Sequence, residues 1–386
     1  MPLARAAVLV AAVALAAVGL SGHSRKPVSD AQLQQAVGAY RFADGSVAAL
    51  FIEPFGTSLR IVDYESGAMR QLAQVSLDAF VGGARLLETS PVQLHVRLVR
   101  NAGGQIVALR RNAQRATRIP LRVVPVTIQS GDARLVGKLM RPAGAGPFPA
   151  VVLVAGSVKA TRDTYDLWGL FFAAHGFAVL SLDKRGVGQS TGSFNESPDE
   201  ANLQRLAGDT LAGVAWLRRR ADIDPQRIGL SGGSQAGWII VLAASQSSDV
   251  AFAALQSGPA MSVGRQRAYA AVTVNGKREP PPTETDVRAA LASIGDDGFD
   301  PKPAIRALRI PTLWQYGDVD KRQYTPESLA ILNDAASRAT VKVYPGGAHS
   351  LRATTNGLIS EERDTTGFVP GVFTDLAAWL SLRAAP

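Results

Sequence analysis

The stretch GLSGGSQAGW, residues 229–238, sets one hydroxyl, Ser234, among small residues and directly ahead of an apolar run. It follows the apolar segment RIGL and precedes WIIVLAAS, which has the composition of a buried helix. A sharp strand-to-helix turn of this kind lifts a serine oxygen clear of a sheet, and it needs small neighbours because other backbone passes close by. Gly232 fills the first small position of a G-x-S-x-G pattern, while Ala236 stands at the second with Gly237 after it. Further on, IPTLWQYGDVDKRQYTP ends an apolar run in a loop carrying Asp318 and Asp320, and VKVYPGGAHSL ends another in a loop carrying His349. A hydroxyl, a carboxylate and an imidazole thus follow one another along the chain, each just beyond an apolar strand. This supplies a nucleophile, an orienting acid and a general base in the chain order Ser, Asp, His. Asp320 is the favoured acid, because its G-x-x-D spacing from Gly317 puts it one loop step further from the strand, and Asp318 is the alternative.

Acyl transfer through Ser234 also needs donors for the developing oxyanion, usually one N–H from the residue after the nucleophile and one from the loop after an earlier strand. Those positions fall on Gln235 and on the loop Ala155-Gly156-Ser157-Val158, with Ser157 as the expected second donor.

The elements that must hold these groups are legible in the hydrophobic rhythm. After about Val123 continuous apolar runs, among them PAVVLVAG, FAVLSLD, VAFAALQSG and ATVKVYPGG, alternate with helical segments, which implies a parallel sheet covered on both faces. Catalytic groups in such folds gather at the carboxyl ends of the strands. VVPVTIQSG and ARLVGKLMRP suggest a hairpin ahead of that sheet. From about Val37 to Leu121 the pattern is short and alternating, with turn residues at 43–45, 65–67 and 101–104, and reads as a small antiparallel sheet or partial barrel. His95 within it reads as a structural residue of a strand. The expected organisation is a small β-rich domain over residues 30–121 and a catalytic domain over 122–386. Between VAFAALQSG and IPTLWQYG a long insertion, about 259–309, reads as a cap over the nucleophile. Its Arg265, Arg267 and Tyr269 are candidates to meet an acidic or polar substrate, or else form a solvated helix face.

With these residues in place the chain from about Val123 to Leu382 resembles the α/β-hydrolase superfamily, within it the bacterial esterases and the dienelactone-hydrolase, prolyl-oligopeptidase and acyl-thioester-hydrolase relatives. LSLDKRGVGQSTG is similar to that group's D-x-R-G-x-G-x-S turn, and PFPAVVLVAGSVKATRD to its P-x-P-x-V-V-L-x-H-G-S-G loop. The resemblance implies an α/β-hydrolase fold and a serine hydrolase of the carboxylesterase kind, with Asp183, Arg185 and Gly186 stabilising a turn near the site. Two departures stand out: Ala155 replaces the family's histidine before the oxyanion glycine, and Val158 with Lys159 replaces a small residue. Peptidase or thioester chemistry on the same fold, or a binding protein without activity, are the alternatives; the amino-terminal region is too short for a complete β-propeller.

Composition narrows the remaining possibilities. With 46% hydrophobic and 6% aromatic residues among 386, the chain can bury a large core. Its net charge of +9 comes from scattered arginines without a long basic run, so no nucleic-acid partner is expected. There is no cysteine, which excludes disulfides, thiolate metal sites and cysteine nucleophiles. No metal cluster or phosphate-cradling glycine loop stands out, so no cofactor and no metal are expected. Arg5 followed by an apolar run to Leu20 and by Ser21-Gly22-His23-Ser24 reads as a secretory signal over residues 1–22, giving a periplasmic or secreted protein with no stable membrane span; an uncleaved anchor is the alternative.

Overall fold

A computed structural model describes residues 30–384 apart from 55, 296, 336 and 337. The expected signal segment lies outside the described residues. Helix α1 (Asp30–Ala36) leads into nine short strands: β1 (Gly38–Phe42), β2 (Val47–Ile52), β3 (Leu59–Asp63), β4 (Met69–Gln71), β5 (Ala73–Ser76), β6 (Ala79–Gly82), β7 (Leu94–Arg100), β8 (Ile106–Arg111) and β9 (Gln114–Arg118). They form one antiparallel sheet in the order β4-β3-β2-β1-β9-β8-β7-β6-β5. Its two outermost strands are consecutive in the chain, so the sheet is nearly closed. Tyr40, Leu50, Leu59 and Leu109 fill its interior, while His95 sits exposed on β7.

The second sheet begins with the hairpin β10 (Leu121–Ser130) and β11 (Ala133–Pro142). The chain then runs through β12 (Phe148–Val154), α2 (Asp166–Ala174), β13 (Ala178–Leu182), α3 (Glu200–Arg218), β14 (Ile223–Gly233), α4 (Ala236–Gln246) and β15 (Phe252–Gln256). Helices α5 (Val263–Val272), α6 (Glu284–Ala292) and α7 (Lys302–Ala307) make up the insertion. After it come β16 (Thr312–Gly317), α8 (Thr325–Ala335), β17 (Ala339–Tyr344), α9 (Ile359–Arg363) and α10 (Val372–Ala384). The order is β10-β11-β13-β12-β14-β15-β16-β17, parallel from β13 to β17 and antiparallel at the hairpin edge. This is the α/β-hydrolase arrangement.

Side-chain alternation along β12 shows why the runs are apolar throughout. Val152 and Val154 face a core shared with α3, α4, α7 and α8, whereas Val151 and Leu153 face one shared with α2 and α10. The amino-terminal sheet packs onto that second helical layer: Tyr64 meets Phe171 and Phe373 edge-on at 5.1 and 4.9 Å and donates its hydroxyl to Leu167 O. The two sheets thus share one core through α2 and α10.

Candidate active site

The turn at Ser234 is built by backbone contact. Ser234 has φ 58°, a left-handed conformation in which a non-glycine residue is strained, at the junction of β14 and α4. Its N–H donates to Gln256 O on the neighbouring strand (3.0 Å). A Cβ at Gly232 would lie 2.3 Å from Val154 O and 2.8 Å from the Ala236 Cβ, and one at Gly237 would lie 2.6 Å from Gly258 Cα. The second close approach therefore falls at position 237, which is why alanine is accommodated at 236.

Asp320 and His349 come together from the loops after β16 and β17. Asp320 is 3% exposed. Its Oδ2 accepts from His349 Nδ1 at 2.8 Å, and its Oδ1 accepts from the Arg322 and Gln323 amides at 2.7 and 3.0 Å. This fixes the carboxylate and assigns the ring proton to Nδ1, leaving Nε2 as a lone-pair donor. Asp318 points elsewhere and accepts from Gly346 N (2.7 Å). Ser234 and His349 line the same two cavities. Among the described residues no hydrogen bond joins the serine hydroxyl to the ring; such contacts are commonly long until substrate is bound.

Gln235 and Ser157 also line the first cavity, and neither backbone amide has an acceptor among the described residues. The Gly156 amide is taken by the Tyr165 hydroxyl (3.2 Å). Lys184, invisible as a site residue in the sequence, supports this loop from beneath: its Nζ donates to Gly156 O (2.7 Å) and to Gln235 Oε1 (3.3 Å). Burial pushes its pKa down to about 8, against the attraction of Glu196. Lys184 and Lys159 both lie over the Phe194 ring, so Lys159 has a partner within the protein. Asp183 and Arg185 hold the adjacent turn. Asp183 accepts from Arg162 and Gln189, which keep its carboxyl below the usual range although burial opposes this, and Arg185 forks onto Asp209.

One cavity of about 420 Å³ opens beneath the insertion and is lined by Gln266, Arg267, Asn275 and Lys277 together with Glu196. The expectation for the cap arginines needs correction. Arg267 does face this cavity, but Arg265 is engaged with Glu327 of α8, and the Tyr269 hydroxyl donates to Asp320 O (2.7 Å). Both anchor the insertion, because their polar atoms found partners in the body beneath it. The second cavity, about 340 Å³, runs toward the amino-terminal sheet and includes Phe51 and Arg60 from it. That the amino-terminal sheet helps shape the pocket is the sequence expectation for it, but nothing in the sequence singles out these two residues. Arg322 and Arg352, two and three residues after Asp320 and His349, carried a signal in their spacing; Arg60 carried none.

Among the described residues no group of His, Asp or Glu side chains could hold a metal ion, and no helix is long and apolar enough to cross a membrane.

Comparison with known proteins finds partial similarity to hydrolases. Residues 130–277 match the X-Pro dipeptidyl-peptidase (S15 family) model. Esterase FrsA of Citrobacter koseri is 34% identical over 115 residues, covering 29% of this chain and 27% of that protein. The chain thus spans about a quarter of the length of the curated relatives it matches. Among solved structures, the DcsB complex with its substrate analogue is 15% identical with a TM-score of 0.50, over 69% of this chain and 100% of that one. The acylaminoacyl peptidase of Pyrococcus horikoshii is 16% identical with a TM-score of 0.49, over 90% of this chain and 56% of that one.

Proposed function

We propose that this chain, similar over part of its length to the X-Pro dipeptidyl-peptidase model and to esterase FrsA, is an exported serine hydrolase cleaving carboxylic esters through Ser234, His349 and Asp320. In this reading Ser234 Oγ attacks the ester carbonyl while His349 Nε2 takes its proton. The tetrahedral oxyanion is held by the Gln235 and Ser157 amides. His349 then returns the proton to the departing alkoxide, leaving an acyl-Ser234 ester. Water, deprotonated by the same imidazole, attacks that ester and releases the carboxylic acid. Asp320 orients the ring and stabilises the imidazolium. The observation that carries the reading is the 2.8 Å bond from His349 to the buried Asp320, with the imidazole lining the same cavities as Ser234.

The test is hydrolysis of p-nitrophenyl esters from acetate to palmitate by the purified protein and by Ser234→Ala, with fluorophosphonate labelling of both. Turnover and labelling that depend on Ser234 are expected; an active Ser234→Ala protein overturns the assignment. The match to the dipeptidyl-peptidase model over 130–277 favours a second reading, a peptidase. Faster turnover of aminoacyl nitroanilides than of any ester would establish it. Export is checked by fractionating cells that express the full chain with a carboxyl-terminal tag: a shortened product in the periplasm or medium is expected, and a full-length membrane-bound one supports the anchor.

A further inference from the structure

The cavity that runs from Ser234 toward the amino-terminal sheet has apolar walls, Phe51, Val158, Leu167, Trp168 and Phe368, yet three guanidinium groups border it: Arg60, Arg322 and Arg352. No carboxylate lines it among the described residues. The nearby acids compensate only in part. Glu53 pairs with Arg60 (2.6 Å) from outside the cavity. Glu362 attracts Arg352 without a side-chain hydrogen bond to it; Arg352 Nη1 reaches only the Glu362 backbone oxygen, at 3.3 Å.

Donor capacity is left over at the same place. Arg60 Nε, Arg352 Nε and Ser350 Oγ are buried without hydrogen-bond partners, and the Arg322 guanidinium has no acceptor among the described residues. Arg60 is 5% exposed. Leaving buried polar donors unmade is costly, so several converging on one cavity imply an acceptor that satisfies them. Burial pushes the guanidinium pKa of both Arg60 and Arg352 down, and for Arg352 the Arg60 and Arg322 charges push the same way. An anion arriving here would relieve both the desolvation and the mutual repulsion.

We propose that Arg60, Arg322 and Arg352, with Ser350, form an anion subsite that receives a carboxylate on the substrate half occupying this cavity, so that the preferred esters carry a short apolar spacer between the scissile carbonyl region and an anionic end. The inference rests on the esterase reading of the same site and specifies its substrate class. Planar, bidentate recognition of a carboxylate is what guanidinium groups supply and a lone ammonium does not. The amino-terminal sheet acquires a role in specificity, because Arg60 is carried by β3.

Two length-matched ester pairs test this: p-nitrophenyl hydrogen adipate against p-nitrophenyl hexanoate, and 4-carboxyphenyl butyrate against 4-methylphenyl butyrate. The first charges the acyl half and the second the leaving half. The charged member of one pair is expected to have the higher kcat/KM, and Arg322→Met and Arg352→Met are each expected to reduce that preference about 10- to 100-fold. Arg322→Met is the safer variant for folding, since its guanidinium bonds nothing within the described structure; circular dichroism checks both. Calorimetric binding of adipate, with 1,6-hexanediol as the uncharged comparison, provides a readout independent of turnover: adipate binds the full chain, the diol does not, and either substitution abolishes the difference. Ser234-dependent turnover of neutral esters with no charge preference in either pair and no adipate binding overturns the subsite and leaves the esterase reading standing. Refusal of all esters without fluorophosphonate labelling removes the esterase reading, and adipate binding lost in Arg352→Met then still supports the subsite.

Discussion

At the scale of single residues the site separates groups proposed to react from groups that hold them. Asp320 has one oxygen on His349 and the other on two amides, so Asp320→Asn leaves the fold but presents the wrong partner to Nδ1–H. Its kcat is expected to fall by roughly 10²–10⁴-fold, while Asp318→Asn, whose carboxylate caps Gly346, stays within a few-fold of wild type in the same ester assay. An equal loss in both would sink the choice of acid. Lys184 acts at one remove. Lys184→Met frees Gly156 O and Gln235 Oε1, so the proposed oxyanion donors would be held less firmly, and kcat should drop about tenfold with KM nearly constant. The same residue makes a pH prediction. Its pKa is about 8 in the folded protein against an ordinary 10.5. Between those values the unfolded chain holds a proton that the native state has released, so this site adds stability as pH rises. Urea unfolding at pH 7.5 and 10 should show that gain in the wild type and a smaller one in Lys184→Met.

At the scale of elements, the strand-turn-helix at β14 and α4 is specified by missing Cβ atoms. Gly237→Ala would place a carbon 2.6 Å from the Gly258 backbone, which has no flexible end to move aside. A loss of about 1–3 kcal/mol is expected from such overpacking, measured by chemical denaturation and accompanied by lower ester turnover as the turn shifts. Unchanged stability would mean that the turn relaxes more easily than its packing implies. This turn was legible in the sequence because small residues, an apolar strand and an apolar helix are local signals. The insertion was less legible. Its helices carry arginines and tyrosines whose partners, Glu327 and Asp320 O, lie more than fifty residues away along the chain.

At the scale of the whole molecule the amino-terminal sheet is part of the hydrolase body. Beyond the aromatic contacts of Tyr64, it grips the chain after His349: Met69 N donates to Thr366 O, Leu86 N to Thr365 O and Phe368 N to Gly67 O. Tyr64→Ala is expected to cost about 3–5 kcal/mol, since it empties an aromatic site and orphans the Leu167 carbonyl contact. A chain beginning near residue 119 would expose the apolar face of α2 and α10 and release the loop that bears His349. It should aggregate or lose Ser234-dependent turnover; a stable, fully active truncated protein would show that the two sheets are independent.

What the sequence by itself determined was the parallel sheet, its two-sided burial, the small-residue turn at Ser234 and the order of an acid and a histidine beyond later strands. All of these are written in local periodicity and in residues adjacent in the chain. Only the tertiary structure decided that Asp320 rather than Asp318 meets His349, that Lys184 braces the Gly156 loop, that Arg265 and Tyr269 anchor the insertion, and that Arg60 of β3 borders the cavity shared with Arg322 and Arg352. The physical reason is common to them. A charged or polar side chain takes whichever partner folding brings within hydrogen-bond reach, and that distance depends on how two sheets and their helices pack, which no spacing along a single chain records.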